Sequence, residues 1–126
     1  MIYVFLADGF EEMEAIAPVD ILRRCGTEVL TVSITAEREV KGTHGISVIA
    51  DTLASYCNFE DADAVVLPGG LPGADNLENS KIVKEAVLLA NEKGAKLAAI
   101  CAAPKVLGKF GMLAGILTRK PRRWRE

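Results

Sequence analysis

Histidine is almost missing from this chain, with His44 alone among 126 residues, and cysteine is scarce, with only Cys25, Cys57 and Cys101. The three thiols are odd in number, far apart, and include no C-x-x-C pair. These shortages exclude a disulfide framework and a structural zinc site. No apolar run comes near the ~20 residues that a membrane-spanning helix needs. The opening MIYVFLADGF has neither the basic start nor the cleavage site of a secretory signal, so a cytoplasmic protein without membrane contact is expected. Basic charge is short over most of the chain. Five of the fifteen Lys and Arg (Arg119, Lys120, Arg122, Arg123 and Arg125) crowd the last eight positions, leaving ten against sixteen Asp and Glu in residues 1–118. An acidic body suits a phosphate backbone poorly, so nucleic acid is not an expected partner except through that tail. The nucleotide loops G-x-x-x-x-G-K-[ST] and G-x-G-x-x-G are also lacking.

What the chain does have is an alternation of apolar runs with helical periodicity. IYVFLA (2–7), EVLTVSI (28–34), AVVLP (64–68) and AKLAAI (95–100) read as strands. The first is apolar throughout, as expected of a strand covered on both faces of a parallel sheet. From Glu11 to Arg24 the pattern is helical: Met13, Ile16, Ala17, Ile21 and Leu22 can share a face, and Gly26 follows the last turn. Pro18 predicts a break or kink inside that helix. EREVKGTHGISVIAD reads as a short strand–turn–strand excursion punctuated by Gly42 and Gly45. SKIVKEAVLLANEKG (80–94) is the clearest helix, with Ser80 as its N-cap and Gly94 as its stop, and AAPKVLGKFG (102–111) is the next. Half the residues are hydrophobic and a quarter charged, the balance of a single globular domain. The order of elements predicts an α/β domain over residues 1–116, with a mostly parallel sheet and helices on both faces, followed by a solvated basic tail over 117–126.

Ligands of such sheets bind beyond the carboxyl ends of the strands. Three segments leave those ends, ADGFEEME, PGGLPGADN and CAAPKVL, and they should meet in one cleft. Cys101 falls where a strand turns into a helix, so N–H groups of the following residues would favour a thiolate, the reactive form of cysteine. Ala99 and Ala103 supply the small side chains that a crowded nucleophile elbow requires two positions either side. The elbow alone leaves Cys101 open as nucleophile or as a small buried residue. Gly69 and Gly70 would bring backbone N–H groups close to a ligand, as an oxyanion hole, a phosphate cradle or a plain turn. Glu11 and Glu12 are accounted for by the helix dipole. Glu14 lies deeper, where a protonated carboxyl could donate a hydrogen bond to a thiolate. His44, between two glycines, reads as a surface or interface residue, and it is not adjacent in sequence to Cys101.

With these residues assembled, the chain resembles the ThiJ/PfpI superfamily, in the branch of the Parkinson's-disease-associated protein deglycase and its small bacterial relatives. FLADGFEEMEAIAPVDILRRCG, DAVVLPGGLPGADNL and AAICAAPKVLGKFGML carry the resemblance, which spans nearly all of residues 1–115. It implies a flavodoxin-like α/β sandwich with a nucleophile elbow, usually a homodimer, with no cofactor and no metal. It assigns the reactive cysteine to Cys101, its hydrogen-bonded carboxyl to Glu14, and the oxyanion-hole N–H groups to Gly70 and Ala102. Arg24 and His44 would border the site near the dimer contact. Two departures stand out. Ala102 occupies the position where the protease-like branch carries histidine, which argues against peptidase activity. Past GMLAG the family's further strands and closing helix are expected to be missing, so one sheet edge and one helix-packing face should be bare.

The resemblance implies a cysteine-dependent glyoxalase or deglycase-type enzyme acting on a small-molecule carbonyl substrate, a 2-oxoaldehyde such as methylglyoxal, or on its protein adducts. Its alternative is a redox-sensing or chaperone-like stress protein whose cysteine is oxidised to sulfinate. A truncated, inactive family member is the third expectation.

Overall fold

The computed structural model describes residues 1–112, so the tail expected at 117–126 lies outside the described residues. Five strands form the main sheet: β1 (Ile2–Leu6), β2 (Val29–Ser33), β5 (Thr52–Leu53), β6 (Ala64–Leu67) and β7 (Lys96–Ala99). All pair in parallel, in the order β5-β2-β1-β6-β7, with Val4 opposite both Thr31 and Val66. The excursion is an antiparallel hairpin of β3 (Glu39–Lys41) and β4 (Ser47–Ile49). This is the expected flavodoxin-like arrangement.

Alternate residues of the central strand serve two cores, as the two-residue period of a strand demands. Tyr3, Phe5 and Ala7 join Val65 and Leu67 beneath α3 (Lys81–Glu92) and α4 (Pro104–Lys109), which contribute Val83, Val87, Val106 and Leu107. Phe59 completes this core, with its ring 4.9 Å from Tyr3 and 5.4 Å from Phe5. On the opposite face Val4 packs with Val29 and with Val19 of α1 (Glu12–Arg24). At the far end of α1, Arg23 and Thr31 both donate to the Asp51 carboxylate, which links the helix to β2.

Two expectations are corrected. Helix α1 runs from Glu12 to Arg24 without interruption at Pro18. Proline removes one hydrogen bond there, but Ala15 and Val19 are buried on either side and the packed face holds the helix together. The glycine-rich segment after β6, for which the sequence suggests no helix, becomes helical at Gly73, as α2 (Gly73–Glu78), which buries Ala74 and Leu77. The expected cap is present: Ser80 Oγ accepts from the Val83 N–H at the start of α3.

Among the described residues β7 is one sheet edge and β5 the other, and Lys96 and Ala98 of β7 and Ile100 just after it are exposed. No described helix is long and apolar enough to cross a membrane.

Phe5 is fully buried at the centre of the larger core. Phe5→Ala is expected to lower unfolding free energy by about 3–5 kcal/mol in a urea titration; a midpoint equal to the parent's would contradict this account of the core.

Candidate active site

Cys101 sits two residues beyond the end of β7 with φ 58°. That left-handed conformation is uncommon outside glycine and costs on the order of 1–3 kcal/mol, so surrounding packing must hold it. The turn closes through a hydrogen bond from the Ala103 N–H to the Ile100 carbonyl (3.0 Å). Ala103 is fully buried. Pro104 opens α4, a position where its missing N–H goes unused. The result leaves Cys101 exposed, so it is not a buried filler of the core.

Glu14 projects from the first turn of α1, and its Oε1 accepts the Gly69 N–H at 3.0 Å. Gly69 is sandwiched: a Cβ placed on it would lie 2.5 Å from Glu14 Oε1, 2.8 Å from the Ile100 carbonyl oxygen and 2.9 Å from Cys101 Cβ. Glu14 and Cys101 thus flank one glycine, although no hydrogen bond joins them directly among the described residues. Gly70, at φ +95°, passes so close to the α1 loop that a Cβ would stand 2.4 Å from the Glu11 nitrogen. Glu11 N–H donates to the Gly69 carbonyl (2.8 Å), tying the loops together. The N–H groups of Gly70 and Ala102 donate to no acceptor among the described residues. Behind the loops, Lys105 of α4 pairs with Asp75 and, at 3.5 Å, with Glu78, which joins the helix after Cys101 to the helix after Gly70.

The three segments leaving the strand ends therefore do meet. Arg24 does not join them. It lies at the opposite end of α1, ten residues from Glu14 and on the order of 15 Å along the axis, and pairs with Asp20 at 2.9 Å. His44 lies instead at the first turn of α1. Its ring Nδ1 is 3.1 Å from Glu12 Oε1 and 3.4 Å from Glu11 Oε2. A cavity of about 380 Å³ opens elsewhere, lined by Asp8, Ile34, Thr35, Asn76 and Ser80, and does not include Cys101.

The family model for the DJ-1/PfpI family matches residues 1–118. The chain belongs to the DJ-1/PfpI family. Among curated relatives it is similar to DJ-1 homolog A of Arabidopsis thaliana, 41% identical over 87% of this chain and 28% of that protein. It is also similar to a deglycase of Pyrococcus abyssi, 35% identical over 90% of this chain and 68% of that one. A solved structure of oxidized DJ-1 from Toxoplasma gondii is similar at TM-score 0.88 and 36% identity, over 90% of this chain and 62% of the other. The chain thus spans between about a quarter and two thirds of the length of these DJ-1/PfpI relatives.

Glu12 does more than the helix-dipole role that its sequence position predicts. It is buried, and its carboxylate accepts from the His44 N–H (2.8 Å), the Ile46 N–H (3.2 Å) and the His44 ring. Burial pushes its carboxyl up, but the backbone N–H groups of Glu12 itself and Ile46, then His44, outweigh that and hold it below the usual range. The same contact raises the His44 imidazole, first through the hydrogen bond to Glu12 and then through the charges of Glu11 and Glu12. Among the described residues Glu11, Glu12 and His44 form a group with donor atoms close enough for a metal, within 4.8 Å of one another. The bonds these side chains make to one another and to the hairpin amides account for the group, and we assign no metal ligands here. The sequence signal for Glu12 was the pair Gly42 and Gly45 around the only histidine.

The left-handed backbone at Cys101 gives a direct test. Cys101→Gly relieves the φ 58° strain and Cys101→Ala keeps it. The glycine variant should be the more stable of the two by about 1 kcal/mol in parallel denaturant titrations. Equal stability, or a more stable alanine variant, would show that the elbow is unstrained.

Proposed function

We propose that Cys101 is the nucleophile of a cofactor-independent glyoxalase or deglycase-type reaction on a small 2-oxoaldehyde such as methylglyoxal, or on its protein adducts. The observation supporting this is the convergence at Gly69 of an exposed thiol on a strained elbow and a carboxylate on a neighbouring helix. The deglycase name of the Pyrococcus relative supports the reaction class. In the proposed sequence the Cys101 thiolate adds to the aldehyde carbon, the carbonyl π electrons move to oxygen, and that oxygen takes up from solvent the proton that the thiol gave up, to give a hemithioacetal. Gly70 and Ala102 N–H groups face the charge that develops on that oxygen. The Glu14 carboxylate then removes the proton from the sulfur-bearing carbon and returns it to the adjacent carbon, while the hydroxyl proton passes from the first oxygen to the second, which produces a 2-hydroxyacyl thioester. Water cleaves the thioester to lactate and regenerates the thiol. One carbon is oxidised as its neighbour is reduced, so the sequence consumes no external oxidant. Ala102 in place of a histidine beside the cysteine argues against peptidase chemistry.

The exposed thiol and the similarity to a relative solved in an oxidized form favour a second reading, in which Cys101 is oxidised to sulfinate in a redox-sensing or chaperone-like stress protein. We also propose a homodimer built on the outer face of α1. Met13 is 78% exposed there and Ile16 and Ile21 flank it at 40% and 59%, too much apolar surface for an unpartnered helix face. Arg24 shares this face with Met13 by helical spacing.

Methylglyoxal loss with matching lactate formation is the decisive assay. Cys101→Ala should reduce it to background, and Glu14→Gln should lower kcat by about 10²–10⁴-fold, the range for a lost general acid–base group. Stoichiometric sulfinate under mild peroxide, found by mass spectrometry without turnover, would replace the enzyme reading with the sensor reading. Neither result would leave the inactive family member. For the dimer, Met13→Glu should convert a two-fold mass in sedimentation equilibrium to the single-chain mass; a parent already monomeric at 100 μM would overturn it.

A further inference from the structure

The β3–β4 hairpin is fastened to the site at its tip, and the fastening centres on the single histidine. Thr43 donates its N–H to the Phe10 carbonyl (2.8 Å) and its hydroxyl to the Leu71 carbonyl (2.9 Å). The tip therefore touches both loops that frame Gly69 and Gly70. Beside it, one Glu12 carboxylate oxygen accepts two hairpin N–H groups while the other faces the His44 ring. Gly42 leaves the room for this carboxylate, since a Cβ there would lie 2.3 Å from Glu12 Cδ. Gly45, at φ +81°, reverses the chain back into β4.

We propose that His44 is a proton-operated clasp, which in its imidazolium form holds the hairpin tip against the first turn of α1 and, through Thr43, over the Gly69–Pro72 loop. The charged groups facing the ring are Glu11 and Glu12 of α1. On the hairpin itself Lys41 is the neighbouring charge, with Cε 4.0 Å from where a Gly45 side chain would begin, and Asp8 accepts the Lys41 N–H from the β1 loop. Two carboxylates outweigh one lysine, so the ring favours its proton. The sign follows. The imidazole is raised above its ordinary value of 6.5, so its contribution is complete below about pH 6.5 and is lost as pH rises through the raised value. Glu12 is lowered from its ordinary 4.5, so its share is present above that and is lost as pH falls through the lowered value. The clasp is closed between these limits and opens on the alkaline side.

The single histidine makes the test direct on the full chain. The His44 ring signal in a proton–carbon NMR titration should have its midpoint above 6.5 and move down in both Glu12→Gln and the milder Glu11→Gln. Hydrogen-exchange protection of the Gly42–Ile46 amides, corrected for intrinsic rates, should fall at least about threefold across that midpoint, and should be flat in His44→Gln. Over the same pH range the ratio of Cys101 alkylation rates between His44→Gln and the parent should change at least about threefold. A midpoint at or below 6.5, flat protection in the parent, or a constant rate ratio would each overturn the clasp. So would loss of the ring titration on adding one equivalent of zinc to metal-free protein, which would make the cluster a metal site. The titration and exchange arms need no substrate, so they stand or fall separately from the glyoxalase reading.

Discussion

Everything around Cys101 depends on how closely the backbone at Gly69 and Gly70 approaches its neighbours. A single added Cβ at Gly69 would collide with Glu14, Ile100 and Cys101 together, and one at Gly70 would collide with the Gly9–Glu11 turn. Because nothing intervenes, the Gly69 N–H can reach the Glu14 carboxylate and the Glu11 N–H can reach the Gly69 carbonyl. These two bonds run in opposite directions between the same pair of segments. They fix the carboxylate against the loop that follows β6. Two kinds of hydrogen bond are used here: one charge-assisted, which is the stronger, and one that satisfies a free helix-terminal donor.

The elbow adds a second constraint. Cys101 holds a backbone conformation that its own chemistry disfavours, and the strain is borne by buried Ala103, by α4 packing through Val106 and Leu107, and by the Lys105 pairs to α2. Those lysine pairs are half exposed and each is weak. Their position matters more than their strength, because they join the two short helices that follow Gly70 and Cys101. The hairpin adds the third contact to the same loops, through Thr43 on Phe10 and Leu71. The loops around Cys101 are thus held by contacts from four separate segments of chain.

Much of this was legible beforehand. The apolar run 2–7 and the β-branched run 28–34 named buried strands because few other elements tolerate such stretches. Ala99, Cys101, Ala103 and Pro104 marked an elbow by size and backbone preference alone. Glu14 was separable from Glu11 and Glu12 by its depth in the helix. What escaped were features that depend on partners distant in sequence. Glu12 becomes a buried anchor only because residues 42–46 fold over it. Pro18 leaves α1 whole because the face beside it is buried. Thr52 and Leu53 form a strand only by pairing with β2, and Gly73 starts a helix where its neighbours suggested a loop.

The sequence by itself determined the alternation of elements, the parallel sheet that follows from it, and the residue types able to do thiol chemistry, because hydrophobic period and local backbone preference act over a few residues. Only the tertiary structure decided that Cys101 stands exposed in a left-handed turn, that the Glu14 carboxylate takes the Gly69 N–H beside it, and that His44 faces two glutamates rather than the cysteine. Those outcomes depend on ångström-scale approaches between segments up to 55 residues apart, and no local pattern encodes a distance of that kind.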